Sequence, residues 1–84
     1  MVYIITDHWE QISEKIMADM ERGVTRMAAT GVYTGEPKGM LLCVLESNKE
    51  LSQLKDIIRE IDSAAFVIVN PASEVMGEGF KSHA

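Results

Sequence analysis

Apolar positions along the chain switch between continuous runs and helical spacing, and each switch marks an element. Val2 to Ile5 is short, apolar and partly β-branched, which predicts a buried strand. Asp7-His8-Trp9-Glu10 reads as a capping box, with Asp7 as N-cap and Glu10 reaching back. Trp9, Ile12, Ile16 and Met20 then follow on one helical face, and Gly23 supplies a stop. Val24 to Thr34 predicts a second strand, bulged at Gly31, and Gly35 to Gly39 a turn. Met40 to Leu45 is an unbroken apolar run, the pattern of a central strand. Ser47 and Glu50 form a second capping box, and Leu51, Leu54, Ile58 and Ile61 share one face of the helix it opens. Asp62-Ser63 ends that helix. Phe66 to Val69 is a last strand, stopped by Asn70-Pro71, and Glu74 to Phe80 reads as an extended segment.

The order strand, helix, strand, strand, helix, strand predicts an α+β fold of the ferredoxin-like βαββαβ kind. Two crossovers of that type put both helices on one face of an antiparallel sheet, with the first and third strands central. Residues 1–81 form the expected domain and residues 82–84 a disordered tail. Nothing in the sequence is left to cover the other face of the sheet, so a homo-oligomer is expected, dimer or trimer.

Charge narrows the partners. The chain of 84 residues carries a formal net charge of −5 and a pI near 4.9, which argues against nucleic acid or an anionic bilayer as partner. A local cluster of Lys38, Lys55, Arg26 and Arg59 is compatible with that balance. One cysteine, Cys43, excludes an internal disulfide framework, and its apolar run predicts a buried, unreactive thiol. No run has the length of a transmembrane helix, and the start of the chain lacks the flanks of a signal peptide.

Catalytic and metal chemistry find little support. His8 and His83 sit at opposite ends, without metal-ligand spacing, and no Walker loop, dinucleotide fingerprint or nucleophile–base pair is visible. The reading is therefore a non-enzyme with no cofactor and no metal. Thr30 to Gly35, followed by Lys38, is the segment with most chemistry. Its glycines bring backbone N–H groups close to a ligand, its threonines add hydroxyls, Tyr33 offers a flat face and Lys38 a cation. Gly31, Tyr33, Thr34, Gly35 and Lys38 are accordingly the candidate site for a small anionic or nucleotide-like ligand. The competing reading is a hairpin end, with the glycines there for geometry and Tyr33 packed on the sheet. Gly77-Glu78-Gly79-Phe80 has the same two readings, a loop site or a turn anchored by Phe80.

Several ordered segments carry a resemblance: Arg22 to Thr25, Gly31 to Gly35, Leu41 to Val44, Ile61 to Val69 and Glu74 to Lys81. Together they make the chain resemble the soluble C-terminal domain of the YitT family of bacterial membrane proteins, from about Val2 to Lys81. The resemblance implies a ferredoxin-like domain related in fold to PII-type signalling proteins. It also implies a multi-helix membrane domain ahead of this one in the intact protein, and a place on the cytoplasmic side of the bacterial inner membrane. As a fragment the domain is expected to be soluble. The family supplies no established catalytic residues. The leading expectation is a cytoplasmic regulatory domain that senses a ligand for its membrane partner. The alternatives are a pure oligomerisation module and an enzyme with an unrecognised site.

Overall fold

A computed structural model describes residues 1–71, 76 and 77. Its elements follow in the order β1 (Val2–Thr6), α1 (Trp9–Met20), β2 (Val24–Thr30), β3 (Pro37–Cys43), α2 (Asn48–Ile61) and β4 (Phe66–Val69). The four strands form one antiparallel sheet in the order β2-β3-β1-β4. This is the expected ferredoxin-like α+β fold, with β1 and β3 central. Alternation along the strands divides the side chains between two faces. Val2, Ile4, Leu41 and Cys43 point into the core, where Ile12 and Ile16 of α1 and Leu54 and Ile58 of α2 meet them. Each of the Val, Ile and Leu side chains among them contributes ~1.5–3 kcal/mol relative to exposure.

The second helix forms as the sequence dictates. Ser47 Oγ accepts a bond from the Glu50 N–H at 3.2 Å. Glu50 Oε1 reaches one residue further back than a capping box requires, and accepts from the Glu46 N–H at 2.7 Å. The first helix starts differently. Its N-cap is His8, which makes no side-chain cap, and the Asp7 carboxylate instead holds Lys38 Nζ at 3.0 Å. Thr6 Oγ1 takes up the His8 N–H at 2.9 Å. The same helix ends at Met20 rather than at Gly23, with Glu21 in the left-handed region at φ 54°. Arg22 is thereby placed to bind Glu50 through Nε at 2.8 Å and Glu46 through Nη2 at 3.0 Å.

The hairpin also departs from expectation. β2 ends at Thr30 without a bulge, because its pairing with β3 is continuous from Val24↔Cys43 to Thr30↔Pro37. The strand expected from Met40 thus starts at Pro37 and ends at Cys43. Pro37 is tolerated as the first strand residue, where its missing N–H costs least. Gly39 is in the strand, paired with Ala28 and Thr6, and the Trp9 side chain lies against it. The hairpin is closed by Gly31 N–H to Glu36 O at 2.8 Å and Gly35 N–H to Gly31 O at 2.7 Å, with Gly35 at φ +72°.

At the other end of the sheet the Met1 ammonium donates to Asn70 O at 2.7 Å, and the Asn70 N–H returns a bond to Met1 O at 2.8 Å. The expected extended segment Glu74 to Phe80, apart from Met76 and Gly77, and the expected tail 82–84 lie outside the described residues.

Candidate functional site

Three connections meet at one end of the sheet: β1 to α1, β2 to β3, and α2 to β4. A cleft of about 370 Å³ opens between them. β1 and its exit supply Ile5, Thr6 and Asp7; the hairpin supplies Ala29, Thr30, Gly31 and Lys38; the turn into β4 supplies Asp62, Ala64 and Phe66. Ile5, Ala29 and Phe66 give an apolar wall, and Phe66 is 71% exposed. The polar groups are bonded among themselves. Thr6 Oγ1 donates to Asp62 Oδ2 at 2.6 Å, and the Ala64 N–H donates to Asp62 Oδ1 at 3.1 Å. These bonds, the one from Thr6 first, hold the Asp62 carboxyl below its ordinary pKa. Lys38 is the one cation among the lining residues, and its bond to Asp7 holds its pKa above the ordinary value.

Of the residues singled out from the sequence, Gly31 and Lys38 line this cleft. Thr34 and Gly35 belong to the turn above it: Thr34 Oγ1 accepts from the Glu36 N–H at 3.2 Å, and Gly35 closes the hairpin. Tyr33 is 99% exposed, which removes the reading that it packs on the sheet, and Val32 beside it is 97% exposed. A Cβ at Gly31 would stand 3.0 Å from Thr34 Oγ1, close enough that the threonine side chain would have to give way. The four cations that the sequence allowed to cluster do not gather in the cleft. Arg26 lies over the Trp9 ring at 4.1 Å, Arg59 pairs with Asp56 at 3.7 Å, and only Lys38 lines the cleft.

Sequence reading missed Thr6, Asp7, Asp62, Ala64 and Phe66 as site residues. Their common signal is topological: Thr6, Asp7 and Phe66 stand where β1 ends or β4 begins on the hairpin side, and Asp62 and Ala64 in the turn from α2 to β4. Cys43 is buried, and burial pushes its thiol up. Among the described residues no group of three His, Cys, Asp or Glu side chains could hold a metal ion. Among them too, no helix is long and apolar enough to cross a membrane. Of the second glycine-rich piece only Gly77 is described; Glu78, Gly79 and Phe80 lie outside.

Comparison with known proteins locates this fold in larger chains. A family model described as "Uncharacterized protein conserved in bacteria (DUF2179)" matches residues 22–77. The UPF0750 membrane protein YvjA of Bacillus subtilis (strain 168) is 44% identical over 81 residues, 96% of this chain and 28% of YvjA. The UPF0750 membrane protein YitT of the same organism is 34% identical over 74 residues, 88% of this chain and 26% of YitT. The chain thus spans little more than a quarter of either relative. A crystal structure of a DUF2179 protein from Eubacterium ventriosum matches with a TM-score of 0.69 at 28% identity, over 82% of this chain and 93% of that one. A functionally unknown protein from Pediococcus pentosaceus shares the fold at 13% identity, also with a TM-score of 0.69.

Proposed function

The chain belongs to the DUF2179 family of bacterial proteins, whose domain recurs in UPF0750 membrane proteins, and from that membership and the cleft together we propose a regulatory domain that binds a small molecule for a membrane protein. The resemblance to the YitT family read from the sequence is borne out by that match. One observation carries the proposal. The cleft has the size and make-up of a small-molecule site, an apolar wall with a few convergent polar groups. Binding rather than catalysis is proposed because the cleft's titratable groups, Asp7, Asp62 and Lys38, are already engaged in hydrogen bonds with one another or with Thr6.

The ligand proposed is flat and carries one anionic group. Its ring would lie along Phe66 and Ile5. Its anion would meet Lys38. Asp7 already occupies that ammonium, so the anion has to displace it. The pair is open to water, with Lys38 28% and Asp7 58% exposed, and exposed pairs of this kind hold weakly. The membrane part belongs to the same proposal on the pattern of the UPF0750 relatives, and a cytoplasmic location belongs to it on the family resemblance read from the sequence.

A thermal-shift screen with nucleoside phosphates and small carboxylates tests it. A true ligand raises the melting temperature with concentration. Lys38→Ala and Phe66→Ala should abolish that rise while leaving the free domain's melting temperature nearly unchanged. If no compound of these classes shifts the melt, or both variants respond as the wild type does, the cleft is not the site.

A further inference from the structure

The face of the sheet opposite the helices carries two complete rungs, bordered on the hairpin side by Ala29 and Lys38. Across the strands from β2 to β4, one rung holds Thr25, Leu42, Tyr3 and Ile68. The next holds Met27, Met40, Ile5 and Phe66. Seven of these eight positions are large and apolar, and none is charged. Phe66, Ile68 and Met27 are 71%, 48% and 37% exposed. Soluble surfaces seldom carry an apolar patch of this continuity without a use for it. From this face we infer that the domain self-associates, a second copy packing sheet against sheet.

Three considerations select a copy of the same chain as the occupant. The first is charge. The chain carries a net charge of −5, and all of it lies off these two rungs. A charged protein surface finds nothing there to complement, and an anionic bilayer is opposed by the molecule as a whole. A second copy brings uncharged rungs to uncharged rungs, the self-complementary arrangement a two-fold axis requires. The second is area. At ~4.8 Å between strands and ~3.4 Å per residue the two rungs measure roughly 260 Å² in projection, and side-chain relief makes their accessible surface larger. Standard interfaces take ~800 Å² from each partner, so the face suits a reversible dimer better than an obligate one. The third is shape. Sheets pack face to face at ~10 Å with interleaved side chains. Met27 and Met40 are the flexible side chains that fill irregular gaps between such layers. Ile5 and Phe66 also line the cleft, so the partner copy would stand at its mouth.

Sedimentation equilibrium of the purified chain over a hundredfold range of micromolar concentrations tests the inference. A monomer–dimer equilibrium is expected. Ile68→Lys and Met27→Lys should each weaken it at least ~10-fold, because each sets an unpaired ammonium among apolar side chains. Both residues are partly exposed in the single chain, so both variants should keep the wild-type circular dichroism. Met17→Lys is the control. Met17 is 50% exposed on α1, on the far side of the molecule, and its variant should dimerise normally. A monodisperse monomer at high micromolar concentration overturns the inference. So does a dimer untouched by Ile68→Lys and Met27→Lys, and so does a monomeric chain that binds uncharged phosphatidylcholine vesicles through this face.

Discussion

The indole of Trp9 lies directly on Gly39, so that a methyl group built at Gly39 would stand 2.5 Å from Trp9 Cδ1. Gly39 has no positive φ, and its reason for being glycine is therefore contact rather than backbone freedom. The same indole carries the Arg26 guanidinium, 4.1 Å from the ring centre. Gly39→Ala should push the ring off the sheet and cost ~1–3 kcal/mol, the usual penalty of overpacking. Urea unfolding measures the loss. Trp9 is the sole tryptophan, so its emission reports the displacement directly. An unchanged midpoint and emission spectrum would mean that the ring yields freely.

Acid should weaken the fold through two carboxylates. Glu50 is held below its ordinary pKa of 4.5, first by its bond from Arg22, and Asp62 below 3.8, first by its bond from Thr6. A depressed native pKa means that the unfolded chain binds the proton first as pH falls. Their contribution is therefore complete above about pH 5, and is lost as pH drops through 4.5 and 3.8 toward the lower native values. Chemical denaturation from pH 7 to pH 3 should show that decline. Glu50→Gln should be less stable than wild type at pH 7, and the gap should narrow as pH falls toward 3. A constant gap across that range would assign the effect to packing.

The cap of α2 can be removed singly. Ser47→Ala deletes the acceptor for the Glu50 N–H and should cost ~1 kcal/mol. The paired variant Ser47→Asp, which restores an acceptor, should recover most of it. Equal midpoints for wild type and Ser47→Ala would show that Glu50, by capping Glu46, secures this helix start alone.

Cys43 is 1% exposed in a central strand. Its thiol is pushed up by burial and is not the form that reacts. Labelling with a thiol reagent should be slow in the native protein and fast in denaturant. Rapid native labelling would require β3 to open far more often than a central strand should.

The order of elements and both apolar helix faces were legible because they rest on local spacing. Trp9, Ile12, Ile16 and Met20 keep their spacing wherever the helix ends. What failed was decided by residues distant in sequence. Asp7 has the sequence of an N-cap, yet Lys38, 31 positions away, claims its carboxylate. Pro37 and Gly39 look like turn residues in isolation, and pairing with β2, and for Gly39 with Thr6 of β1 as well, makes strand residues of them. The site divides in the same way. Gly31 and Lys38 stood out by composition, whereas Asp62 and Phe66 have ordinary neighbours and gain their place from the topology alone.

The paired bonds between Met1 and Asn70 bring the two ends of the sheet's chain path out side by side. Any segments joined there would leave from one edge, at the opposite end of the sheet from the cleft. Tension between them would not slide β1 along β4. It would open that ladder from Val2↔Val69 toward Ile5↔Phe66, one pair after another, as a zip opens. The last pair to part borders the cleft. A pull on the attachment edge and an occupant in the cleft would therefore act on the two ends of the same short ladder.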